Sequence, residues 1–130
     1  MMKRTHFIIG VAVTAPFIIY NPVSVIGLIG SYAPDFDIKL KIPHRTITHS
    51  LLALVVTTAV IFALNPYIAF VWFINYLLHL LADSLTKMGV PFLYPFKKKK
   101  YGLKLFKTGK AGDYLFQFLS VAYIYVFYLK

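Results

Sequence analysis

Asp35, Asp37, His44, Arg45, Thr48 and His49 crowd into the stretch APDFDIKLKIPHRTITHS, from Ala33 to Ser50, between two long apolar runs. A connector that only joined two apolar helices could be any polar string, so carboxylates and imidazoles concentrated here point to metal or anion chemistry. Further on, in INYLLHLLADSLTKMGVP, His79 and Asp83 stand four residues apart. On a helix that spacing stacks both side chains on one face, where they can grip one metal ion without backbone strain. The plain alternative is a core histidine hydrogen-bonded to an aspartate one turn on. An unpaired ionisable group in so apolar a run costs about 3 kcal/mol, which favours the functional reading. Asp35 and Asp37 follow Pro34; in an extended segment residues two apart face the same way, so both carboxylates would address one site. The alternative is a polar turn with Asp37 solvated beside Lys39. His44 and His49 flank the expected start of a helix, with Thr48 a candidate N-cap.

The composition describes what surrounds these groups. Hydrophobic residues make up 59% of the 130, far above the balance of a water-soluble domain, and the bilayer is the expected solvent. With no cysteine and no glutamate, a disulfide framework and a thiolate zinc site are excluded, and any metal must be held by His and Asp. Lys and Arg outnumber the acidic residues 14 to 4, a balance that suits anionic headgroups, nucleic acid or an anionic substrate. The opening MMKRTHFIIGVAVTA has signal-peptide features, but cleavage would discard His6 and leave the next apolar run without a partner, so it is read as mature structure.

Residues 7–34, 50–82 and 114–129 carry no charged side chain apart from the titratable His79. Asn21-Pro22 and Asn65-Pro66 interrupt the first two of these runs, and a proline ends a helix at the residue before it. The expected fold is therefore all-α, a single integral membrane domain over residues 1–130. It is a bundle of about five short helices: His6 to Tyr20, Pro22 to Ala33, Thr48 to Leu64, Pro66 to Thr86, and Asp113 to Tyr128. Two Asn-Pro hairpins bring both turns to one end of the bundle, and His6, Asp35, Asp37, His44, His49, His79 and Asp83 to the other. Nearly all the lysines and arginines lie at that second end as well. The positive-inside rule then predicts a multi-pass protein of the cell membrane with this face in the cytoplasm.

The chain resembles the YdjM-type family of membrane-bound, metal-dependent hydrolases. The resemblance is carried by His6, by Pro34-Asp35-Phe36-Asp37, and by His44-Arg45-Thr46-Ile47-Thr48-His49-Ser50. It continues in His79-Leu80-Leu81-Ala82-Asp83-Ser84-Leu85-Thr86-Lys87-Met88-Gly89, in order along nearly the whole chain. Asp113 departs from the pattern, which more often has Glu there, and is read as a helix N-cap. The order of His and Asp is also distantly similar to that of zinc-dependent phospholipase C and related nucleases. The resemblance implies one or two divalent metals, zinc first, held by His6, Asp35, Asp37, His44, His49, His79 and Asp83. Asp37 and Arg45 would be closest to the chemistry, with Arg45 orienting a substrate oxyanion.

Three aspartates against two divalent ions leave a site slightly positive, which attracts a phosphate and supports phosphoester hydrolysis by a metal-activated water. With one ion the sum turns negative, which favours the rival expectation of a non-enzymatic protein using the cluster for structural metal or ion passage. Lys97, Lys98, Lys99 and Lys100 are expected to face anionic lipid headgroups. Tyr94, Phe96, Tyr101 and Phe106 interleave with the lysines of this region, and a nucleic-acid contact is the sharper alternative.

Overall fold

The two asparagines that precede the proline breaks each serve two helices. In the computed structural model, which describes residues 1–130, the Asn21 N–H closes helix α1 (Lys3–Tyr20) on the Phe17 carbonyl at 2.8 Å. Its side chain then accepts from the Val23 N–H at 3.3 Å, opening the next element. Asn65 does the same: its N–H reaches the Ile61 carbonyl at 2.8 Å, and its side chain accepts from Tyr67 and Ile68 N–H at 2.9 and 3.1 Å. These pairings satisfy orphaned backbone groups on both sides of a tight reversal. The rest of the chain is a short α2 (Phe36–Lys39), α3 (Leu51–Leu64), α4 (Pro66–Ser84) and α5 (Ala111–Ile124), the last running on into a π turn over Tyr125–Leu129. No strand forms, and the fold is all-α.

The second arm differs from the expected helix. Pro22–Ser31 winds as a 3-10 helix, followed by a 3-10 turn at Ala33–Asp35 and then α2. The reason lies in its small residues. Ser24, Gly27 and Gly30 recur every third position, and a helix of three residues per turn keeps them on one stripe against α4. A Cβ at Gly27 would lie 2.8 Å from the Ile68 carbonyl, and one at Gly30 would lie 2.6 Å from that of Trp72. Close backbone approach of this kind is how helices pack where lipid surrounds them. The third arm starts later than expected, at Leu51, because Ser50 rather than Thr48 is its N-cap, its Oγ accepting from the Ala53 N–H at 3.2 Å.

α4 is the axis of the molecule, packed along the 3-10 helix, α3 and α1, while α5 packs on α1. The apolar core proper is small, Leu54, Tyr76, Leu80 and Val90, and more of the buried residues are polar or charged than apolar. Large apolar side chains point outward instead, among them Val55, Val60 and Phe62 on α3 and Leu115, Phe118 and Val121 on α5. This is the inverse of a water-solvated domain. α4 is long and apolar enough to cross a membrane; Pro22–Ser31 and Leu51–Leu64 are apolar but shorter.

Candidate metal centre

The termini of four elements meet away from the Asn-Pro turns. α4 contributes His79 and Asp83 in its last two turns, and the 3-10 turn after Pro34 contributes Asp35. The turn Ile47–His49 contributes His49, and the first turn of α1 contributes His6. All five side chains are buried.

His79 shows what the centre is built for. Its Nδ1 lies 2.7 Å from the Ser31 carbonyl, which can only accept, so Nδ1 carries the proton and Nε2 presents a lone pair. That Nε2 is buried with no hydrogen-bond partner. It stands 3.6 Å from Asp83 Oδ2 and 3.7 Å from Asp35 Oδ1. His49 repeats the arrangement: its Nε2 also lacks a partner and lies 3.4 Å from Asp83 Oδ2 and 3.7 Å from Asp35 Oδ1. Two imidazole nitrogens and two carboxylate oxygens thus converge at spacings too long for good hydrogen bonds. Two imidazole nitrogens buried without a partner are costly, and a cation set between them and the carboxylates would satisfy both. The residues present therefore fit a divalent metal, and the structure has two His/Asp groups able to hold one, His6 with His79 and Asp83, and Asp35 with His44 and His49.

Asp37 lies on the other side of the His49 ring. The chain after Pro34 is helical rather than extended, so Asp35 and Asp37 diverge instead of facing one way. Asp37 Oδ2 sits 3.4 Å from His49 Nδ1 and accepts from Thr48 Oγ1 at 2.9 Å and from the Arg45 N–H at 3.1 Å, while Oδ1 lies 3.0 Å from His44 Nδ1. Burial would raise its pKa, but the hydrogen bonds from His44 and Thr48 outweigh it and hold the carboxyl below its ordinary value. For His49 it is burial itself that lowers the pKa and keeps the imidazole neutral. Thr48 Oγ1, which donates to Asp37, lies 3.2 Å from His49 Nδ1, so the hydroxyl links the ionised carboxylate to the imidazole and orients its metal-facing edge. His44, half exposed, is at the rim, its ring edge-on to His49 at 4.9 Å.

Arg45 is 3% exposed, and its backbone is left-handed at φ 57, a conformation a non-glycine residue adopts at a cost. That twist aims its N–H at Asp37 and its side chain inward. Nη2 pairs with Asp83 Oδ1 at 3.1 Å, and Nη1 donates to Thr86 Oγ1 at 3.1 Å and to the Gly89 carbonyl at 2.9 Å. Asp83 Oδ1 also takes the Met1 α-amino group and His6 Nε2, the latter at 3.2 Å. The His6 ring stacks on His79 at 3.7 Å. Asp83 thus turns one oxygen toward Arg45, the α-amino group and His6, and the other toward the two free imidazole nitrogens.

Asp113 stands apart from this cluster and is not the N-cap of α5, a position held by Lys110. Fully buried, it accepts from the Met2 N–H at 2.9 Å, Thr5 Oγ1 at 2.8 Å and the Gly109 N–H at 2.5 Å. It ties α5 to the start of α1, and so holds His6 in place. Asp113→Ala should destabilise the detergent-solubilised protein by about 3 kcal/mol, because buried donors lose a charged acceptor. Denaturant unfolding monitored by circular dichroism measures this; a loss under about 1 kcal/mol would mean water replaces the carboxylate.

Fold and site together define an all-helical protein with a buried His/Asp cluster able to hold a metal ion. The chain belongs to the YdjM inner membrane protein family, whose model matches residues 1–129. No curated protein and no solved structure matches the chain.

Proposed function

We propose that this protein is a membrane-bound, metal-dependent hydrolase acting on a phosphoester. The observation that carries the reading is the pair of buried, unpartnered nitrogens, His49 Nε2 and His79 Nε2, facing the carboxylates of Asp83 and Asp35. Zinc is the metal of choice: donors about 2.1 Å from a tetrahedral ion lie roughly 3.4 Å apart, close to the 3.4–3.7 Å spacings found. His49, His79 and Asp83 would hold it, a two-histidine, one-carboxylate set that leaves a position open. The metal would supply Lewis acidity toward a phosphoryl oxygen and toward water.

Asp35 is the member of the four that borders a surface cavity, so it is the group placed to meet substrate. In hydrolysis a water oxygen bonds to phosphorus, the bond from phosphorus to the ester oxygen breaks, Asp35 takes the water's proton, and the departing alkoxide is protonated by solvent. Asp37 would orient His49 through the Thr48 hydroxyl, and Arg45 would hold Asp83, so both act through other residues. A single metal then suffices, where the aspartates counted alone would call for two, because Arg45 and the Met1 α-amino group already pair with Asp83 Oδ1. His44 at the rim, with Asp35, is the remaining place for a second ion.

α4 would cross the bilayer with the shorter arms beside it in a locally thinned membrane, a multi-pass arrangement with the metal end toward the cytoplasm. The exposed Lys97, Lys98, Lys99 and Lys100 would rest on anionic headgroups there. A structural metal is the second reading, favoured by the burial of all four donors. Elemental analysis of the purified protein should find about one zinc per chain, removed by chelation and restored by added zinc, and the loaded protein should cleave a phosphodiester or phospholipid. No metal bound even after zinc is supplied would overturn both readings.

A further inference from the structure

The cavity bordered by Asp35 has a composition that the other large cavities lack. About 420 Å³ in volume, it is lined by Lys3, Ile29, Tyr32, Asp35, Phe36 and Lys39. Four others, of about 430, 710, 410 and 270 Å³, have no charged residue on their walls. Its size is that of a small-molecule site, and its lining is half apolar with a few convergent charges.

We propose that this cavity seats the phosphate headgroup of a membrane lipid, with Lys3 and Lys39 on the phosphate and Ile29, Tyr32 and Phe36 against the apolar portion next to it. The proposal rests on the hydrolase reading and names its substrate class. Two lysines, one from the first turn of α1 and one from the end of α2, line the cavity with a single carboxylate, so its charge balance favours an anion. That carboxylate is 7% exposed and lies near His49 and His79, so an anion held by the two lysines would sit next to the centre. The lipid source follows from the wall and its surroundings. Ile29 and Phe36 are 48% and 39% exposed, and the chain beyond Phe36 continues with exposed Ile38, Leu40 and Ile42 alternating with Lys39 and Lys41. A soluble anion needs no such apolar apron. A lipid does, because its acyl chains stay in the bilayer while lysines reach up to the headgroup.

The test is binding, measured by calorimetry on the full chain in neutral detergent, with dihexanoyl phosphatidylglycerol, glycerol phosphate and inorganic phosphate as probes. The lipid should bind, the two soluble phosphates at least tenfold more weakly. Lys3→Gln with Lys39→Gln should weaken the lipid about 30-fold, with metal content and thermal unfolding unchanged because both side chains are exposed. Changing Lys97 to Lys100 to Gln should leave it as it was. Equal losses in the two variants would reduce the effect to general surface charge and overturn the proposal; so would inorganic phosphate binding as tightly as the lipid. Hydrolysis is scored separately. Lipid bound at this cavity but never cleaved would sink the hydrolase reading and leave the binding site. Cleavage that survives in the double lysine variant with unchanged KM would do the reverse.

Discussion

Asp83→Asn should leave the protein with essentially no bound metal and a much weaker fold. The substitution keeps the shape of the side chain and removes its charge, so what changes is electrostatic. Oδ1 faces the buried Arg45 guanidinium at 3.1 Å, the Met1 α-amino group and His6, while Oδ2 faces the free nitrogens of His49 and His79. An amide at this position leaves the Arg45 cation buried without a counter-charge, and breaking a buried pair by removing one partner costs about 3–5 kcal/mol. It also takes away the one carboxylate whose oxygen is nearest both imidazoles. Elemental analysis should drop from about one metal per chain to near zero. Denaturant unfolding of the metal-free wild type and variant should still differ by several kcal/mol, because the Arg45 pairing does not depend on metal. A metal-free variant as stable as the metal-free wild type would mean that water has replaced the Asp83–Arg45 pair. A variant that kept its metal would remove Asp83 from the donor set.

Asp35→Asn is expected to separate chemistry from architecture. Its Oδ1 lies 3.7 Å from both free imidazole nitrogens, farther than Asp83 Oδ2, and its side chain borders the cavity. If Asp35 accepts the proton from water, the amide, which cannot, should lower kcat by about 10²–10⁴-fold. Metal content should stay near one per chain and KM should change little. The rival structural metal predicts the opposite pattern: Asp35 is then a fourth ligand that closes the coordination sphere, and its loss releases metal and lowers stability together. The paired readout of kcat and bound metal in one variant therefore chooses between the two.

Much of the fold was legible because it depends on near neighbours in the chain. An asparagine followed by proline ends one helix and starts the next through contacts within four residues, so the two hairpins could be read directly from the sequence. Once the hairpins are granted, every histidine and every aspartate except Asp113 must lie at one end. The pairing of His79 with Asp83 was legible for the same reason, since a separation of four on a helix is a fixed geometry. The second arm was misjudged as an ordinary helix because the cue was a contact: Ser24, Gly27 and Gly30 form a stripe only when the chain winds at three residues per turn against α4.

The sequence by itself determined which side chains are available, that cysteine chemistry is excluded, and that the imidazoles and carboxylates gather at one end of an all-helical chain. Only the tertiary structure decided their roles. The helical turn after Pro34 sends Asp35 to the imidazole Nε2 atoms and Asp37 behind His49, which no pattern of letters distinguishes from the extended alternative. The proton on His79 is placed by the Ser31 carbonyl, a backbone group that has no letter of its own. Arg45 turns inward because a left-handed backbone aims it at Asp83, and Asp113 clamps Thr5 from the far end of the chain. The physical reason is common to all of these: the partner is distant in sequence, and its position is set by packing rather than by local geometry.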